Sequence, residues 1–103
     1  MMNKRLSLRQ EQIMAVLWEN GPMTVSQIQS KLSEPLHYNT VSTFVRGLEA
    51  YGLVTHERKG NGYVYMAEID RNEYLTAAIG QFVKIFFQND KDAFHDYLLT
   101  LWI

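Results

Sequence analysis

The chain contains no cysteine, which excludes a disulfide framework and any thiolate metal site. No apolar run approaches the roughly 20 residues that would span a bilayer, so no membrane association is expected. Behind Met1-Met2-Asn3-Lys4-Arg5 there is no apolar stretch of signal-peptide length. A cytoplasmic protein is the expectation. Catalytic signatures are also missing. His37, His56 and His95 fall in a loop, a strand and the terminal helix with no metal-ligand spacing, and no His-Glu-x-x-His, Gly-x-Ser-x-Gly or phosphate-loop pattern occurs. Asp90 and Asp92 pair at a helix start, where capping explains them. The sequence therefore predicts no enzyme, no cofactor and no bound metal.

Large excess charge is absent too. The formal net charge is -1, which taken alone argues against a nucleic-acid partner. Its distribution is more telling. Residues 1–60 carry seven basic side chains against five acidic ones, a net of +2, while residues 61–103 carry three against six, a net of -3. A mildly basic front half joined to an acidic rear half suits a module whose first part meets an anion. At 103 residues there is room for one small domain with a short appendage.

The most informative stretch runs from Tyr38 to Val54. Read as a helix, it puts Val41, Phe44, Val45 and Leu48 on one side at core-facing spacing. The other side carries Thr40, Ser42, Thr43 and Arg46. Short hydroxyls and one guanidinium can approach a nucleic-acid groove closely: Ser and Thr bond phosphates or base edges, and Arg binds guanine through two parallel hydrogen bonds. Asn39 is the expected cap of this helix, near a dipole end that favours phosphate. Gly52 supplies the stop.

Ahead of this stretch two helices are expected. Ser7 with Gln10 and Thr24 with Gln27 each spell a capping box. Ile13, Met14, Val16, Leu17 and Trp18 follow the first, which ends at Asn20-Gly21-Pro22; Val25, Ile28 and Leu32 follow the second, which Pro35 interrupts. After Gly52 the period changes to two. Leu53 to Arg58 and Tyr63 to Ala67 read as paired strands around Lys59-Gly60-Asn61-Gly62, where both glycines and Asn61 suit positive φ. Three short helices and a hairpin, in that order, describe a winged helix-turn-helix. In that fold the third helix enters the major groove and the hairpin reaches adjacent phosphates. Arg46 is the expected base-reading residue, Asn39, Thr40, Ser42 and Thr43 the short contacts, and Arg58, Lys59 and Asn61 the wing contacts. Lys4, Arg5 and Arg9 would add non-specific attraction.

Beyond the hairpin, a long helix from about Arg71 to Gln88 and a final one complete a mainly α chain. The expected domains are residues 1–69, a winged-helix DNA-binding domain, and 70–103, a helical dimerisation region. Tyr74, Ile79, Phe82, Val83, Phe86, Phe87, Phe94, Tyr97, Leu98, Leu101 and Trp102 are the candidate interface, because so wide an apolar stripe exceeds what one small domain covers. The competing arrangement folds the last helix back on the long one within a single chain.

These residues resemble the penicillinase-repressor (BlaI/MecI/CopY) family of bacterial winged-helix regulators. Gln12-Ile13-Met14-Ala15-Val16-Leu17-Trp18 resembles its E-x-x-I-M-x-x-L-W stretch, and Thr40 to Leu48 its recognition helix, T-V-x-T-L-L-x-R-L. Gly52-Leu53-Val54 and Gly62-Tyr63-Val64-Tyr65 resemble its junction and wing. The likeness covers roughly residues 6–68. It implies a homodimeric repressor on a pseudo-palindromic double-stranded DNA operator, with Thr40 and Thr43 as the recognition-helix threonines and Tyr63 and Tyr65 as wing aromatics. Departures are Gly47 in place of a usual Arg, and Glu49-Ala50-Tyr51 in place of a Lys-rich segment, so phosphate affinity is expected to be lower or supplied by the wing and terminus. Family members are commonly released from DNA by a sensor-linked protease. No Asn-Phe pair is present to carry such a cut, Ile103 falls short of the family's usual final helix, and the paired cysteines of the copper-responsive branch are missing.

Two rival functions use the same residues. A winged-helix protein-interaction module that has lost DNA binding fits the acidic balance, Gly47 and Glu49. A small-ligand sensor with a pocket among Tyr74, Phe82, Phe86 and Trp102 lacks a polar anchor.

Overall fold

A computed structural model of the chain describes residues 6–102; Lys4 and Arg5 lie outside them. The described elements run α1 (Leu8–Asn20), α2 (Val25–Lys31), α3 (Tyr38–Ala50), β1 (Val54–Lys59), β2 (Gly62–Ala67), α4 (Arg71–Phe86) and α5 (Lys91–Leu99). Both capping boxes form. The Ser7 hydroxyl accepts from the Gln10 amide while the Gln10 side chain accepts from the Ser7 amide, and Thr24 and Gln27 repeat the exchange. Each box satisfies two of the amide donors that a helix start leaves open.

The cap of α3 departs from expectation. His37 holds the cap position in extended backbone with no side-chain cap bond, and Asn39 lies inside the first turn. Pro35 forces an extended approach, the Gln29 side chain ties down the Leu36 carbonyl at 2.8 Å, and the His37 carbonyl already accepts from the Val41 amide. The chain thus enters the helix two residues before Asn39 could cap it.

Helix α3 is central to the N-terminal unit and touches α1, α2 and β1. Its Val41, Val45 and Leu48 are fully buried beside Ile13, Met14 and Leu17 of α1 and Ile28 of α2. Phe44 is half-buried, at the edge of this stripe. The helix closes on Tyr51, and Gly52 (φ 79°) takes the left-handed turn that lets the Leu53 amide bond back to the Leu48 carbonyl. That bond turns the Leu53 amide back to α3 while its carbonyl accepts from the Glu68 amide at 2.8 Å, and β1 begins at Val54.

The strands pair antiparallel with His56 opposite Tyr65 and Arg58 opposite Tyr63. Gly60 alone in the turn adopts positive φ (59°), the glycine-first pattern of a type II′ turn; Asn61 does not need it. Met23 adds a bridge on the far side of β2, exchanging both backbone bonds with Tyr65 at 2.9 and 2.7 Å. With Tyr65 buried and Trp18 Nε1 donating to the Ile69 carbonyl at 3.0 Å, the base of the hairpin is tied to the helices. These elements compose a winged helix-turn-helix.

The chain divides into two compact units at Asp70 and Arg71. In the second, two consecutive left-handed residues, Gln88 (φ 50°) and Asn89 (φ 61°), end α4 and turn the chain. Asp90 caps α5 by accepting from the Ala93 amide at 3.0 Å, which is the role expected of it. The last helix does fold back on the long one: Phe94 meets Phe82 and Phe87 at ring separations of 6.0 and 5.3 Å, and Tyr97 meets Phe87 at 5.6 Å. No helix among the described residues is long and apolar enough to cross a membrane.

Candidate nucleic-acid interface

The outward line of α3 consists of Asn39, Thr43 and Arg46, all exposed, with exposed Thr40 on one flank and half-buried Ser42 on the other. Position fixes this: residues three and four apart share a helix face, and Val41, Val45 and Leu48 have taken the inner one. The outward groups bond among themselves. The Arg46 guanidinium folds along its own helix, with Nε 3.4 Å from the Ser42 carbonyl and Nη2 3.5 Å from Thr43 Oγ1. Thr43 in turn donates to the Asn39 carbonyl at 2.8 Å. The two Arg46 bonds are long and exposed, so exchanging them for a base edge or phosphate costs little. Gly47 lies beside Gln10, whose Nε2 would stand 3.2 Å from an added Cβ. A longer side chain there would press on the capping box of α1.

Every residue from His56 to Tyr63 is exposed, forming a projecting wing. Arg58, Lys59 and Asn61 lie on it. Because side chains alternate along a strand, His56 and Arg58 share a face with Tyr63 and Tyr65. The Arg58 guanidinium sits 5.8 Å from the Tyr63 ring centre, a cation–π contact that holds it along the strand.

Arg9 is placed differently from expectation. Its guanidinium grips Glu34 in the loop before α3, at 2.8 and 3.3 Å. The Arg9 hydrogen bond and charge hold the Glu34 carboxyl below the usual carboxylate range, and Glu34 raises Arg9 in return. The exposed pair links α1 to the α2–α3 loop. Because the folded pKa of Glu34 is the lower one, the unfolded chain binds the extra proton. The pair's stabilisation is therefore present above the ordinary value of 4.5 and is lost as pH falls through the depressed one. A series of urea midpoints from pH 6 to 3 is expected to fall less steeply for Glu34→Gln than for the parent; identical slopes would show the pair to be thermodynamically silent.

Sequence reading missed one contact in this region. Glu49, on the last turn of α3, has Oε2 2.6 Å from His56 Nδ1 on β1. The pair joins helix to wing. Burial, and then the Glu49 carboxylate, push the neighbouring Tyr65 hydroxyl up from its ordinary value.

In the second unit, Tyr74 and Val83 are buried within the single chain, while Ile79, Phe86, Tyr97, Leu101 and Trp102 remain open, Phe86 at 61 % and Trp102 at 82 %. Phe82, Phe87, Phe94 and Leu98 are half-buried. A groove of about 490 Å³ in this unit is lined by Thr76, Ile79, Gly80, Val83, Asn89, Lys91 and Phe94, a different set from Tyr74, Phe82, Phe86 and Trp102. Among the described residues no cluster of His, Asp or Glu could hold a metal ion.

Known proteins share this architecture. The penicillinase repressor of Bacillus licheniformis is 23 % identical over 78 residues, 74 % of this chain but 61 % of that protein, so the match spans less than two thirds of the relative. The solved DNA-binding domain of the repressor BlaI superposes with a TM-score of 0.61 at 25 % identity, covering 71 % of this chain and 94 % of that one. A homodimeric winged helix-turn-helix DNA-binding domain from Mycobacterium bovis shares the fold, with a TM-score of 0.57 at 24 % identity over 74 % of this chain and 68 % of its own. The sequence profile of penicillinase repressors matches residues 6–99, nearly the whole length, and on that match the chain belongs to the penicillinase repressor family.

Proposed function

We propose that this protein is a sequence-specific DNA-binding transcriptional regulator, a repressor that binds an inverted-repeat operator as a homodimer in the cytoplasm. The observation that carries this reading is the outward strip of α3. Asn39, Thr43 and Arg46 line a helix whose other face is fully buried, so a rigid element presents short polar groups and one guanidinium. Thr40 and Ser42 flank the strip. The side-chain-free cap at His37 leaves amides of the first turn available to a phosphate, and Arg58, Lys59 and Asn61 on the wing extend the footprint. Residues 1–69 are the DNA-binding part, and residues 70–103, with their open apolar side chains, are the dimer clasp. BlaI being a repressor with a DNA-binding domain of this fold, and the M. bovis domain being homodimeric, support both halves of the reading.

The test is fluorescence anisotropy against the protein's own upstream DNA and a scrambled duplex across a salt series. Preferential binding to the native fragment is expected, with log K falling by about 0.9 per phosphate neutralised for each tenfold rise in salt. Arg46→Ala should weaken operator binding by about 1–3 kcal/mol and relax preference at one base pair per half-site. If Arg46→Ala discriminates cognate from scrambled DNA as well as the parent does, α3 does not read bases through this residue. Absence of binding to any duplex at low salt would favour the protein-interaction module, for which the ion-paired Arg9 and the carboxylate of Glu49 speak.

A further inference from the structure

We propose that Glu49 and His56 form a clamp that fixes the wing against the recognition helix, and that the clamp holds Arg58 in place to meet a phosphate backbone. The second half rests on the DNA-binding reading; the first does not.

The clamp is geometric. His56 stands at the third position of β1, between the anchored and free ends of the hairpin. Its Nδ1 lies 2.6 Å from Glu49 Oε2. Its ring meets Tyr63 edge-on at 4.9 Å and an interplanar angle of 74°, and lies 5.4 Å from the buried Tyr65. Tyr63 in turn carries Arg58. A continuous line of contacts therefore runs from the end of α3, through Glu49, His56 and Tyr63, to the guanidinium on the wing. Removing Glu49 leaves the imidazole without its partner on the helix, and the position of Arg58 then depends on the hairpin alone.

The experiment has two arms on the full chain. Without DNA, hydrogen exchange of the amides from Arg58 to Tyr63 is followed in the parent, Glu49→Gln and His56→Gln. Exchange about threefold or more faster in both variants is expected, with unchanged urea midpoints showing that the fold persists; unaltered exchange overturns the clamp. With the operator duplex, affinity is measured at fixed ionic strength for the parent, His56→Gln, Arg58→Ala and the double variant. Each single variant should bind more weakly, and the double variant should lose little beyond Arg58→Ala alone. Losses that simply add overturn the positioning of Arg58 by the clamp. Should no duplex bind, the DNA-binding reading and the positioning of Arg58 fail together, while the exchange arm still decides the clamp.

Discussion

Leu48→Ala is expected to destabilise the N-terminal unit by about 2–5 kcal/mol, the range for deleting a buried leucine where the site cannot collapse. Leu48 is fully buried, on the helix that touches α1, α2 and β1 at once. Its carbonyl also accepts the Leu53 amide that turns the chain into the hairpin, so the backbone there resists closing over a cavity. A small domain has only about 5–15 kcal/mol of total stability, and each kcal/mol moves the midpoint by roughly 4–8 °C at this size. Thermal unfolding should therefore shift down by about 8 °C or more, with the denaturant slope unchanged. Thr43→Ala, on the outward strip of the same helix, is expected to stay within about 0.5 kcal/mol of the parent. The contrast is the test: equal losses at the two positions would contradict the burial that orients α3, and with it the outward placement of Arg46.

That orientation is legible in the sequence because its causes are local. A 3.6-residue period sorts Val41, Val45 and Leu48 from Thr43 and Arg46 without reference to anything distant, and both capping boxes are reciprocal bonds between residues three apart. The hairpin is equally plain from its glycines and alternating pattern. What escapes is set by backbone or by distance along the chain. The start of α3 is fixed by Pro35 and by backbone bonding at His37, which no side-chain rule registers, and so the side-chain rule points to Asn39 instead. Arg9 pairs with Glu34 across 25 residues, a partner that no local pattern announces. Met23 bridges Tyr65 through backbone alone. Glu49 stands out as an acidic residue in a segment that is Lys-rich in the family it resembles, but its partner appears only once the wing is folded back beside α3. Burial of Tyr74 and Val83 is likewise hidden, since a wide apolar stripe does not say which of its members one chain already covers.

Phe86→Glu is the second large effect, and it bears on the proposed dimer. Phe86 is 61 % exposed, and its visible aromatic partner is Phe82 at 4.8 Å on the same helix. Ile79, Leu101 and Trp102 lie open in the same unit. So many large apolar side chains left open in one small unit fit an interface, whose core is enriched in aromatic residues. In a two-fold dimer each substitution is felt twice. Losing the burial of two phenylalanine rings costs about 3–6 kcal/mol, before any penalty for desolvating two carboxylates. That raises the dissociation constant by at least about a hundredfold. Sedimentation velocity at micromolar protein should show the parent at dimer mass and Phe86→Glu at monomer mass, with unchanged circular dichroism because the residue is exposed in the single chain. Operator affinity should fall with it. Two half-sites bound by one dimer share a single loss of translational freedom, and separate monomers must each bear it. A dimer mass that survives the substitution would move the interface away from α4, and a monomeric parent would remove the clasp from the proposal altogether.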